Sequence, residues 1–395
     1  MRTKQLTTRA TFGVICATWI LGSLTGCTVT AREDDDESSS ASSGAGGGGG
    51  GTTTTGLPVL GNGQHSVDAV NLSVIADPGM QLSVPRDLQF NPLVPNELWI
   101  ASRATNSISV AMNPGSPDMT TYAPVGMFGS QHFLAQPSAL AIGDNGFFAS
   151  IHETDDKTQG INGTPADFMG PTLWTSNITE FEGGHASHYD MLHNSPNGMG
   201  IAWQHDNVYW VFDGYHAAIT MYDFQGDHGP AGEDHTDGIV RRYVEGEVAW
   251  VENIPSHMEF HPLDGNLLLV ADTGNNRIAV LDTTTGTQGV SIFPNYDGSD
   301  QKYVDGATMW TLIEGSEVGL TLPSGLTVHD NVIYVTDAGN SVIWGFSLEG
   351  ALIDYLETGL PSGALSGITF DAQGHIYATD AVSNQVIKVT PLEQQ

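Results

Sequence analysis

Positive charge is scarce in this chain. Its 395 residues hold 12 Lys and Arg against 45 Asp and Glu, for a formal net charge of -33 and a pI near 4.3. Nucleic-acid phosphates and anionic lipid headgroups need a Lys/Arg surface to replace their counterions, which argues against a nucleic-acid partner. Cysteine is nearly absent, with only Cys16 and Cys27, so the region that can fold has no disulfide and no thiol nucleophile. Long apolar runs are missing too: Phe12 to Leu21 is too short to span a bilayer. There is no G-x-S-x-G elbow and no H-E-x-x-H, since His152-Glu153 is followed by Thr154-Asp155-Asp156. The hydrophobic fraction of 39% is nevertheless ordinary for a globular protein, and the length is ample for a core.

Residues 1–26 have the build of an export signal, with Arg2, Lys4 and Arg9, then the apolar run, then small residues. The run ends in Leu24-Thr25-Gly26-Cys27, which resembles the bacterial lipobox. That resemblance implies cleavage before Cys27, a lipid on its thiol and anchorage in the cell envelope. Thr28 after the cysteine, where Asp would mark retention at the inner membrane, implies the outer membrane. Loss of the signal leaves 9 Lys and Arg against 45 carboxylates. Residues 27–65 contain the acidic run Glu33 to Glu37, a Ser run, six consecutive Gly and four Thr; such a stretch reads as a flexible tether.

Beyond the tether the chain repeats itself. Short apolar alternating segments are each followed by a turn and a β-rich strand, usually ending in Asp. Examples are Asn197-Gly198-Met199-Gly200-Ile201 with Val208 to Asp213, Ser256 to Phe260 with Leu268 to Asp272, and Ser324 to Val328 with Ile333 to Asp337. Six copies start at 86, 138, 197, 256, 324 and 366, spacings that suit four-stranded propeller blades with loop insertions. The period-2 alternation predicts strands, and no stretch carries a sustained helical stripe. The segment Leu269-Val270-Ala271-Asp272-Thr273-Gly274-Asn275-Asn276-Arg277-Ile278 resembles the NHL repeat. The resemblance covers about residues 66–391 and implies an all-β, six-bladed β-propeller of four-stranded antiparallel blades over 66–395. The sixth unit has only three strands of its own, so Val67 to Ala76 is expected to complete it and close the ring.

Nine of the 14 histidines fall between residues 185 and 261. In the topology implied by the resemblance, His152 and Glu153 of blade 2, His185, His188 and His193 before blade 3, His216 of blade 3 and His257 of blade 4 share one face. Converging imidazoles with a carboxylate suit Zn, Cu or Fe. Asp227, His228, Asp234 and His235 belong to an insertion between the third and fourth strands of blade 3, expected on the opposite face, and form a second metal candidate for Ca or Zn. Asp297, Asp300 and Asp305, in an insertion expected after blade 4, offer a weaker Ca signal. Arg86 is a rare cation in a channel-facing slot, able either to clamp an anionic ligand or to pair with a neighbouring acid. The recurring Asp213, Asp272, Asp337 and Asp380 precede polar turns, where a carboxylate accepts turn amides.

The fold is also similar to that of the peptidylglycine amidating lyases, whose zinc histidines occupy the small-residue slot before the first strand of several blades. The matching slots here are Arg86, Ser138, Asn197, Ser256, Ser324 and Ser366, none of them histidine, so that triad does not carry over. Six-bladed gluconolactonase-like hydrolases use carboxylate-rich calcium sites; Glu153 and Asp213 are available here, without recognisable flanking motifs. Two functional expectations follow. The first is a lipoprotein whose propeller binds a protein, peptide or glycan ligand; the second is a metal-dependent lyase or lactonase using the histidines of blades 2–4.

Overall fold

The computed structural model describes residues 56–122, 133–154, 169–182, 188–230 and 232–393. The signal, Cys27, most of the tether and His185 lie outside them. Six antiparallel sheets make a six-bladed propeller, and the repeats map onto the blades one for one. Blade 1 runs Pro85–Phe90, Glu97–Ser102, Ser107–Met112 and Thr120–Thr121; blade 2 runs Pro137–Ile142, Phe147–His152, Thr172–Thr175 and Asp190–Met191. Blade 3 runs Gly198–His205, Val208–Asp213, Ala218–Asp223 and Ile239–Tyr243; blade 4 runs Met258–Phe260, Leu267–Asp272, Arg277–Asp282 and Thr308–Glu314. Blade 5 comprises Pro323–His329, Val332–Asp337, Val342–Ser347 and Leu352–Glu357. In blade 6, Leu365–Phe370, Ile376–Asp380 and Gln385–Pro391 are joined by Val70–Ala76, whose Val70 pairs with Pro391 and Val74 with Ile387.

The apolar runs of the second strands are explained by burial on both faces. Alternate residues of Leu267–Asp272 go to different interfaces: Leu268 and Val270 pack between blades 3 and 4, Leu269 and Ala271 between blades 4 and 5. Each fully buried Leu or Val contributes about 1.5–3 kcal/mol. The core is thus six apolar layers between neighbouring blades. The small-residue slots stitch these layers together on the axis side. Ser138 Oγ donates to the Gly198 carbonyl at 2.6 Å, Ser324 Oγ to Leu365 at 3.3 Å and Ser366 Oγ to Arg86 at 2.9 Å. Glycine follows Ser324 because the next blade comes so near: a Cβ on Gly325 would sit 2.1 Å from the Ser366 carbonyl.

Two features depart from the simple repeat. Residues 283–307 separate the third and fourth strands of blade 4, so Asp297, Asp300 and Asp305 do not follow that blade but interrupt it. Their hairpin, Thr287–Ser291 with Asp300–Asp305, adds to blade 3, where Asp300–Asp305 lies parallel to Ile239–Tyr243. Packed structure also begins before residue 66. Leu60 is fully buried and Val59 nearly so, in the layer between blades 5 and 6, Leu57 N donates to Asp354 at 2.8 Å, and His65 stacks on Tyr355 with ring centres 3.8 Å apart. Among the described residues no helix is long and apolar enough to cross a membrane.

Candidate functional site

The polar side chains at the ends of the inner strands are engaged with one another. Arg86 is buried and pairs with Glu153 of the next blade, Nε to Oε2 at 3.0 Å and Nη2 to Oε1 at 3.3 Å. Arg103 Nε approaches the same Oε2 at 3.0 Å. Burial lowers the Arg86 pKa, against the pull of Glu153. Arg86 therefore holds blades 1 and 2 together through the acid that the sequence offered as a metal ligand. His152 turns into blade 2, its Nδ1 3.2 Å from the Gly170 carbonyl.

The recurring aspartates have no access to solvent and tie loops to turns. Asp337 accepts from Thr321 N and Oγ1, both at 2.7 Å, Leu322 N at 2.9 Å and Gly339 N at 2.8 Å. Asp380 accepts from Val382 and Ser383, and Asp272 from Ala249 N and the Arg277 guanidinium. Asp213 accepts from Ser195 Oγ, His216 N and His216 Nδ1, the last at 2.8 Å, which fixes His216 on its own turn. His193 is likewise held by Asp297, which receives its backbone N–H at 2.9 Å and its ring Nδ1. None of these residues converges on a shared point with His152 or His257 among the described residues.

His257 faces the axis. The first strands of all six blades line an axial cavity of about 90 Å³ that holds Asp87, His257 and Glu259. His257 Nδ1 is 3.5 Å from Asp87 Oδ1, and its Nε2 is 3.2 Å from the Ser138 carbonyl. Asp87 also accepts from Leu88 N and Leu140 N. Burial, with the charge of Asp87 adding to it, pushes the Glu259 carboxyl up to about 7; burial raises Asp87 too, against the attraction of His257. Neither carboxylate was singled out from the sequence. The available signal was a charged residue inside an otherwise apolar first strand, which in a closed ring points to the channel.

The histidines that do come together are His188, His228 and His235, with one ring nitrogen of each within 4.8 Å of the others. This unites the two sequence candidates and corrects the assignment of faces. Asp190–Met191 is the fourth strand of blade 2, so His188 belongs to the connection leading into that strand while His193 leaves it at the other end. His188 thereby meets the third-to-fourth-strand connection of blade 3, which carries His228 and His235. Asp227 and Asp234 do not join them: Asp227 accepts from Gly229 N at 3.0 Å and Asp234 from Thr236 N at 3.1 Å, each capping its own turn. The hydrogen bonds from Thr236 hold the exposed Asp234 carboxyl below its usual range. Asp190, which the sequence did not point to, instead bonds His235 Nδ1 at 2.7 Å. Asp297 and Asp300 are engaged with His193 and Arg241, and among the described residues they join no group of three ligating side chains of the kind Ca²⁺ needs.

No family model matches the chain, and no curated relative matches it. Among solved structures the fold is similar to that of an auxiliary nutrient binding protein from Bacteroides ovatus, at 14% identity and a TM-score of 0.51, over 82% of this chain and 74% of that one. An auxiliary nutrient binding protein from Bacteroides thetaiotaomicron is similar at 10% identity and a TM-score of 0.51, over 80% and 75% of the two chains. Virginiamycin B lyase from Staphylococcus aureus aligns at 13% identity with a TM-score of 0.48, over 81% and 99%.

Proposed function

We propose that the chain is a cell-envelope lipoprotein, anchored through Cys27, whose propeller is a binding module for a protein, peptide or glycan ligand. The observation that carries the reading is the state of the axis. A cavity of about 90 Å³ admits an ion or a few waters, whereas pockets for small organic ligands are typically about 300–1,000 Å³. The ionisable lining of the axial cavity is Asp87, His257 and Glu259, while Arg86, Glu153, Asp213 and His216, which do not line it, are bound to each other and to backbone and position loops. A ligand is then met by the loops. Two propellers of similar fold bear the name of auxiliary nutrient binding proteins; the likeness is one of fold, and the role named is of the kind proposed here.

The acidic surface favours a ligand carrying positive charge or one bridged by cations. Crosslinking of the full-length chain in native membranes, with soluble propeller as competitor, tests the reading. Specific, competed recovery of one ligand is expected; recovery of none by any crosslinker contradicts it. The anchor is tested separately by metabolic labelling with a radioactive fatty acid: Cys27→Ala is expected to lose the label and leave the membrane fraction, and a labelled variant contradicts the anchor.

A further inference from the structure

We propose that His188, His228 and His235 form a binding site for one divalent first-row transition-metal ion, with Zn²⁺ as the reference ion, in which three imidazoles supply the ligands and a fourth position stays open. The site lies on the outer connections of blades 2 and 3, and the inference does not rest on the binding-module reading.

Geometry comes first. The three donor nitrogens lie within 4.8 Å of one another, and the ring centres of His228 are 5.0 Å from both His188 and His235. Tetrahedral Zn²⁺ with bonds of about 2.0–2.1 Å needs donor separations of about 3.3 Å, a closure that small χ rotations supply. The second observation is orientation. His235 Nδ1 is held by Asp190 at 2.7 Å and His228 Nδ1 by the Gly229 carbonyl at 2.6 Å, so each ring carries its proton on Nδ1 and offers the Nε2 lone pair. A carboxylate behind one ligand and a backbone carbonyl behind another are the outer partners that fix metal-binding imidazoles. Phe133 stacks on His188 with ring centres 4.0 Å apart, which sets the plane of the third ring.

The third observation is what a cation would satisfy. His228 Nε2 and Asp190 Oδ2 are both buried without a hydrogen-bond partner. Orphaned buried polar atoms are costly, and a cation bound at His228 Nε2 satisfies its lone pair. The donor set selects the ion. Three neutral nitrogens and no oxygen cage suit Zn²⁺, Co²⁺, Ni²⁺ or Cu²⁺ and disfavour the hard ions Ca²⁺ and Mg²⁺. The His235 side chain keeps 16% of its surface exposed, which gives the ion a way in.

The test uses the full chain, stripped with a chelator and dialysed against ZnCl₂. One Zn²⁺ per chain is expected by metal analysis, with Ca²⁺ failing to compete. His228→Ala and His235→Ala are each expected to weaken binding at least about 100-fold, Asp190→Asn about 10–100-fold, and His216→Ala, which lies outside the group, not at all. Should a histidine variant fold poorly, the wild type alone decides: Zn²⁺ is expected to protect His228 and His235 from diethyl pyrocarbonate, read by peptide mass spectrometry. Absence of stoichiometric Zn²⁺, binding unchanged in both histidine variants, or equal modification with and without Zn²⁺ would each overturn the site.

Discussion

In blade 5 the buried Asp337 accepts four hydrogen bonds and joins the loop entering the blade to the turn within it. On the outer connections of blades 2 and 3, the half-buried His228 and the buried Asp190 each hold one buried polar atom without a hydrogen-bond partner. The two regions teach different things about a repeat protein. Where the repeat is regular, polar residues recur because every blade has the same turn to hold, so Asp213, Asp272, Asp337 and Asp380 share one structural task. Where insertions break the repeat, polar residues answer to no common geometry, and their grouping calls for a local explanation.

That contrast can be broken at either end. The largest effect is expected from Asp337→Ala, which strands three amide donors and should cost about 4 kcal/mol of stability while leaving Zn²⁺ stoichiometry intact; chemical denaturation in chelator measures it. A loss below about 1 kcal/mol would show that the recurring carboxylates are not turn clamps. Next, Arg86→Ala leaves Glu153 buried with Arg103 as its remaining cation, and a loss of about 3 kcal/mol is expected. The double variant Arg86→Met with Glu153→Leu should recover most of it, because the pair holds blades together without being needed as charges. Failure to recover would show that the charged pair itself, and not only its packing, holds the two blades.

Glu259 gives a smaller, pH-dependent effect. In the folded chain its carboxyl keeps the proton up to about pH 7, against an ordinary value of 4.5. Within that window the native state binds more protons than the unfolded one, so this group's contribution falls as pH rises from 4.5 through 7. Glu259 is half-buried and lines the cavity, and its partial exposure tempers the cost to roughly 2 kcal/mol. Glu259→Gln should remove this slope and be the more stable protein above pH 7. Parallel wild-type and variant curves of stability against pH would contradict the axial assignment. The smallest effect is that of salt: with a net charge of -33, self-repulsion should be screened and the melting temperature raised by a few degrees at higher ionic strength. A flat response would show that the surface charge only solubilises.

How far the sequence reached follows the same division. Runs such as Leu268-Leu269-Val270-Ala271 reveal a strand buried on both faces, and the Ser-Gly pairs at 324–325 and 366–367 mark the close approach of blades. The addition of Thr287–Ser291 and Asp300–Asp305 to blade 3 was not legible, because parallel edge pairing between distant segments is made by backbone groups and leaves no side-chain pattern. Leu57 to Leu60 were absorbed into the tether by their Gly- and Thr-rich surroundings, although Leu57-Pro58-Val59-Leu60 is apolar enough to dock. The histidine group failed for a sharper reason. Asp190–Met191 is a strand of two residues, too short to show alternation, and without it His188 is assigned to the wrong end of the blade.

On this proposal, metal binding in the propeller sits on the insertions of blades 2 and 3 and not on its axis. Anomalous diffraction at the zinc edge, from crystals of the chain soaked in Zn²⁺, tests it most directly. One strong peak is expected among the imidazoles of His188, His228 and His235. A peak on the axis between Asp87 and Glu259, with none at the histidines, would contradict it.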